Sequence, residues 1–185
     1  MTARYVALGD SMSIDMYAGG PGRGAASLLH RNRDGDFPGW SGRDLATAGF
    51  TAQILAGDGA TSADVRYEQL PCITTPPTVV TVTMGGNDLI GAYGDTDAGY
   101  VAIDEVIVAG SHILSTLRAA GDCHVVLTTV YDPSDGTGHI PGAAWKPWPQ
   151  LPAVLNELNA ALGRLAEQYD ALLAYPFRPV IDQAV

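Results

Sequence analysis

The chain has 185 residues, enough for one domain with a substantial buried core. Hydrophobic residues make up 46% and charged residues 16%, which excludes a disordered, solvated polymer. The formal net charge of -10 argues against nucleic acid or an anionic membrane surface as partner and says little about substrate.

The chain opens "MTARYVALGD", with one cation and an apolar run too short for a secretory signal. No apolar stretch approaches the ~20 residues of a membrane span. A cytoplasmic, single-domain protein over residues 1–185 is the expectation. The run "YVALG" (5–9) predicts a first strand that ends directly in Gly-Asp-Ser. Residues 18–44, rich in glycine and alternating charge, read as a long loop around a short helix at the active edge. Their "GGPGRG" fits neither phosphate-loop nor dinucleotide patterns. A second strand is predicted over "FTAQILA" (50–56), followed by "AGDGATSADV" with Gly59 in a turn. "SADVRYEQL" then predicts a helix with Ser62 as N-cap.

The third strand, "TVVTVTMGG" (78–86), and the fourth, "CHVVLTTVY" (123–131), are nearly continuous in β-branched residues, as in strands covered on both faces. Between them "AGYVAIDEVIVAGSHILSTLRAAG" spaces Val101, Val108, Ile113 and Leu117 for a helix that stops at Gly121. Asp95 and Asp97 before it lack the other ligands of a calcium loop and read as a turn and helix start. Cys72 and Cys123 both precede predicted strands and are expected as two reduced, half-buried thiols, neighbours in the sheet if the strands adjoin. Residues 132–152 form a long Pro-, Gly- and Trp-rich loop, functional or disordered. Trp145 and Trp148 in it are candidates for an apolar substrate wall, with packing under the loop as the alternative. A helix with Leu at 151, 155, 158, 162 and 165 presents an apolar stripe, and "ALLAY" (171–175) predicts a fifth strand. Strands alternating with helices predict a parallel, three-layer α/β domain.

In such sheets ligands bind outside the carboxyl ends of the strands. Ser11 follows the first strand, Gly59 the second, and "MGGNDL" places Asn87 and Asp88 after the third. Alone, Ser11 reads equally as a helix cap and Gly-Asn-Asp as an ordinary turn. Together they supply a nucleophile and donors for a developing oxyanion, the set acyl transfer needs.

"GDSMS", Gly59 and "GGNDL" resemble the first three sequence blocks of the SGNH hydrolases, the GDSL esterases and lipases, with Met12 in place of the leucine of that name. The resemblance covers roughly residues 4–174. It implies Ser11 as nucleophile, with oxyanion donors from the Ser11 amide, the Gly59 amide and the Asn87 side chain. It also implies a flavodoxin-like, doubly wound sheet of about five strands, no cofactor, and a small-molecule acyl ester as substrate.

Family members carry Asp-x-x-His near the C-terminus, with the histidine as general base. Here Asp182 is followed three residues later by Val185, and no histidine comes after His139. The resemblance is expected to stop near Ala174, the family's last helix to be missing, and Val185 not to be assured as the natural C-terminus. A strip of the sheet should then be exposed, which invites a homodimer. Of the other histidines, His30 is placed in the first loop, His112 in a helix and His124 at the wrong edge. His139 is left as the substitute base, expected to be a solvated loop residue. The reading is an ester hydrolase impaired by loss of its base, acting on a short acyl ester, a lipid ester or an acetylated sugar. A catalytically silent ester- or carbohydrate-binding domain is the alternative. A flavin carrier is the third, with "GDSMSIDMY" a poor match to its phosphate loop.

Overall fold

Four runs containing β-branched residues and the run "ALLAY" form five short strands: β1 (Arg4–Leu8), β2 (Thr51–Ile54), β3 (Val79–Val82), β4 (His124–Thr128) and β5 (Leu172–Ala174). The computed structural model describes residues 3–142 and 145–175. All five strands pair parallel, in the order β2-β1-β3-β4-β5. This is the doubly wound, flavodoxin-like α/β sheet expected. Connections leave β1 and β3 in opposite directions, so a crevice opens beyond their carboxyl ends.

One face of the sheet, through Val6, Leu8, Val80, Val82, Val125 and Leu127, forms the main core with α4 (Thr96–Ala120) and α5 (Leu151–Gln168). The five leucines of α5 are all buried there, as their helical spacing demands. At Gly110 of α4 an added Cβ would lie 2.6 Å from Leu165 and 2.7 Å from Met84, so the small residue lets the helix approach. The opposite face is thinner: Tyr5 and Ala7 pack under Ala26 of α1 (Ala25–His30), with Leu45 and Phe50 alongside. By register, Val126 and Leu172 share that face with Tyr5. Leu172 is 66% exposed, so the outer part of this face carries exposed apolar surface.

Several expectations need correction. The cap of α2 (Ser62–Asp64) is Thr61: its Oγ1 accepts from Asp64 N at 3.3 Å while the Asp64 carboxylate accepts from Thr61 N at 2.8 Å. The helix continues as a π turn over Val65–Gln69 and a 3₁₀ turn over Leu70–Cys72. Val101 and Val108 of α4 face outward, Val108 being 61% exposed. The buried stripe runs through Val106, Gly110, Ile113 and Leu117, and Val108 lies two residues, about 200°, away from Val106. Contrary to the sequence expectation, α4 is long and apolar enough by composition to cross a membrane. Its nine buried residues against the sheet and α5 are the arrangement of a core helix.

The thiols also differ from expectation. Cys72 is exposed, with its carbonyl accepting from Gln53 of β2, whereas Cys123 is buried just before β4, beyond β1 and β3. Burial pushes the Cys123 thiol pKa up.

Candidate active site

The turn that carries Ser11 begins with a steric demand. Gly9 has φ +128°, and a Cβ there would sit 2.1 Å from Thr83 Oγ1 and 2.2 Å from Thr83 O. Only glycine lets β1 end this close to the end of β3. Gln69, carried by the π turn, clamps the same residue: its Oε1 accepts from Gly9 N at 2.7 Å and its Nε2 donates to Gly9 O at 2.8 Å.

Thr83 fixes the next residues. Its hydroxyl donates to Asp10 Oδ1 at 2.9 Å and accepts from Asp10 N at 3.0 Å. With that proton committed, Ser13 Oγ, 3.1 Å away, donates to the remaining lone pair. Asp10 Oδ1 also accepts from Met12 N at 3.0 Å, and Ser13 N closes the turn on Asp10 O at 3.1 Å. Asp10 is buried and serves this turn, while half-buried Ser11 stands at its first central position. No regular helix follows Ser11, so the helix-cap alternative does not apply.

The second contributor follows β3. Gly85, at φ +100°, reverses the chain into α3 (Gly86–Gly91) and packs against Leu158. Asn87 Nδ2 donates to Ala60 O at 2.9 Å, which fixes which end of the amide carries the donors. One of its two N–H groups remains for a ligand. Asp88, which follows β3 beside Asn87, does not line the cleft; its carboxylate accepts from Ser62 N at 3.0 Å and from Ser62 Oγ at 2.6 Å.

Between these turns lies a cleft of about 350 Å³. Ser11 and Asn87 both line it, with Asp10, Thr83, Thr128 and Thr129 as further polar residues. Met12, Ala25, Met84, Ile90, Val130 and Tyr131 make it mostly apolar. Gly59 is not among the lining residues; it is exposed at φ +70°, next to Ala60, whose carbonyl Asn87 holds. The β4 end of the cleft is set by a second amide clamp. Asn159 of α5 accepts from Val130 N at 2.7 Å and donates to Val130 O at 2.8 Å.

Among the described residues no histidine lines the cleft. His30 Nε2 lies 3.2 Å from Phe50 O, and His112 and His124 sit on α4 and at the start of β4. His139 is exposed, as expected, and its backbone N–H donates to Thr137 Oγ1. The nearby Asp132 spends its carboxylate on Ser134 N, Ser134 Oγ and Gly136 N and does not orient it. Asp182 and Val185 lie outside the described residues. The tryptophans are not a cleft wall. Trp148 is 2% exposed and donates from Nε1 to Thr96 Oγ1 at 3.0 Å, while Trp145 packs at a tilt against Tyr93, ring centroids 4.9 Å apart. Asp95 caps α4 by accepting from Ala98 N at 3.0 Å, the helix-start role expected of it. Among the described residues no three His, Cys, Asp or Glu side chains cluster as metal ligands.

The sequence model of the GDSL-like lipase/acylhydrolase family matches residues 7–184, nearly the whole chain. The chain belongs to that family. The match runs past Ala174, where the resemblance was expected to stop. Solved structures of similar fold support the assignment of this acylhydrolase family member to the α/β architecture. An acetylxylan esterase from Geobacillus stearothermophilus superposes with TM-score 0.63 at 14% identity, covering 92% of this chain and 74% of the esterase. An extracellular lipase from Streptomyces rimosus gives 0.58 at 19% identity, covering 94% and 80%. A phospholipase A1 from Streptomyces albidoflavus gives 0.59 at 18% identity, covering 94% and 79%. Among curated protein sequences none matches.

Sequence reasoning missed the supports of this candidate site: Gln69, Thr83, Asn159 and the stretch from Thr128 to Tyr131. The last carried a readable signal, since it continues a predicted strand past its carboxyl end. The two amide clamps carried none, because Gln69 and Gly9 are 60 residues apart and Asn159 and Val130 are 29 apart.

Proposed function

We propose that the chain is a serine ester hydrolase in which the Ser11 hydroxyl attacks an acyl carbonyl. The observation that carries this reading is that Ser11 and Asn87, delivered by β1 and β3, line one cleft where the strand order reverses. Attack forms a tetrahedral intermediate whose oxyanion takes hydrogen bonds from the Ser11 amide and the uncommitted N–H of Asn87. The Gly59 amide, one residue before the Ala60 carbonyl that Asn87 holds, is the third donor of this proposal. Collapse of the intermediate expels the alcohol and leaves an acyl ester on Ser11, which water then cleaves to the acid.

The weak point of the constellation is proton transfer. A serine hydroxyl is a poor nucleophile unless a base takes its proton, and no described histidine lines the cleft. Loss of the base from a triad removes ~10⁶ in turnover, leaving oxyanion stabilisation and binding. We therefore expect slow hydrolysis of activated aryl esters by the 185-residue chain. The same observation favours a second reading, a domain that binds acyl esters without cleaving them. Hydrolysis of p-nitrophenyl butyrate above the buffer rate, lost in Ser11→Ala, supports the hydrolase. A rate at background, or one that Ser11→Ala leaves intact, refutes Ser11 as its nucleophile.

A further inference from the structure

Behind the cleft lies a second, smaller chamber of about 90 Å³. It shares Gly86, Ile90, Val130 and Tyr131 with the cleft, so these residues form the partition between the two. Its other walls are Tyr93, Ile140, Leu151 and Leu155, and it stays partly open to solvent beside the half-exposed Ile90 and Tyr131. Among the described residues no charged one lines it, and the polar side-chain atoms there are tyrosine hydroxyls. The walls are held from outside: Asn159 clamps Val130, and Tyr93 is packed by Trp145 and, edge-on at 5.5 Å, by Trp148. The chamber is therefore preformed. Apolar surface lying partly open to water is stabilised when an apolar group covers it. A chamber of 90 Å³ suits the end of an unbranched chain better than a ring.

We propose that the acyl chain of the substrate runs from Ser11 past Ile90 and ends in this chamber, so that the site selects unbranched esters longer than acetate, with Ile90 setting the accepted length. This deepens the hydrolase reading and rests on it for the position of the carbonyl. An acetyl group would end within the cleft and leave the chamber empty. A hydrated sugar on the acyl side would meet mostly apolar wall, with the Tyr93 and Tyr131 hydroxyls as its polar atoms. Ile90 suits the role of a partition because it lines both spaces and is 50% exposed, free to change rotamer without disturbing the core.

The test is equilibrium binding, which needs no turnover. Primary n-alkanamides from acetamide to octanamide place a neutral carbonyl at the oxyanion donors and a tail of increasing length. Isothermal titration of the parent chain should show affinity rising two- to fourfold per added methylene until the chamber is filled, fourfold being the limit for full burial. Ile90→Ala should extend the rise to longer amides by opening the partition. Ile90→Trp should end it near the shortest ones and weaken octanamide binding at least tenfold. Because Ile90 is half exposed, both variants should retain the parent's melting transition. Equal affinity from acetamide to octanamide in the parent, or series unchanged in both Ile90 variants, overturns the proposal. The aryl-ester assay on Ser11 reports on the hydrolase reading separately, so a failure of that reading is distinguishable from a failure of this one.

Discussion

Replacing Thr83 by valine removes one oxygen and nearly preserves shape. It also breaks the junction on which the Ser11 turn is built. In the parent, Thr83 Oγ1 donates to Asp10 and accepts from Asp10 N and Ser13 Oγ, with all three residues buried. The variant loses a hydrogen bond to a carboxylate, worth ~1.5–3 kcal/mol, and leaves the buried Asp10 N–H unpaired at ~1–3 kcal/mol. The extra apolar methyl offsets ~1 kcal/mol. A net loss of about 3 kcal/mol is expected. For a chain of this size that corresponds to a Tm lower by ~6–12 °C. Guanidinium unfolding monitored by far-UV circular dichroism would measure it, with Thr83→Ser, which keeps the oxygen, retaining most of the parent's stability. A loss below ~1 kcal/mol for Thr83→Val with unchanged m-value would refute the view that this oxygen organises the turn.

Asn87→Ala should lower turnover of an aryl ester ~10²–10³-fold with little change in KM, because an oxyanion donor acts in the transition state. Steady-state kinetics showing a KM effect alone would assign Asn87 to tethering Ala60. His139→Ala should leave the residual rate unchanged, since His139 is outside the cleft; abolished activity would make it the base. Asp15 has its pKa held below the ordinary carboxylate value, chiefly by the Gly22 N–H and also by the N–H groups of Gly24 and Arg23 and the Ser27 hydroxyl. Its stabilisation of the loop preceding α1 is therefore full above the unfolded value of ~3.9 and lost as pH falls through the lower folded one. The stability gap between parent and Asp15→Asn, measured by chemical unfolding, should close on acidification below about pH 4; a gap independent of pH would contradict this.

The architecture was readable because its signals are local. Apolar runs marked every strand, and the leucines of α5 repeated at a spacing only a buried helix face explains. Placing Ser11 and Asn87 at strand ends then put them at one edge. Choices between near-equivalent residues were not readable. Thr61 and Ser62 are both good caps, and the decision fell to Asp64 and Asp88, which claim one hydroxyl each. Val108 looked like core because its spacing from Val101 is helical, yet the true stripe lies on the opposite side of α4. Trp148 was taken into the core by a partner 52 residues earlier, Thr96, which no local pattern announces. The clamps from Gln69 and Asn159 were hidden for the same reason.

The most direct test of the central claim is covalent labelling with a fluorophosphonate probe, read by intact-mass and peptide mass spectrometry. A serine lying between oxyanion donors but without a cleft histidine should react slowly and at one place. The account predicts a single adduct on Ser11, formed over hours, absent in Ser11→Ala and slowed in Asn87→Ala. No adduct on Ser11 after prolonged incubation, or an adduct on another serine with Ser11 unmodified, would contradict it.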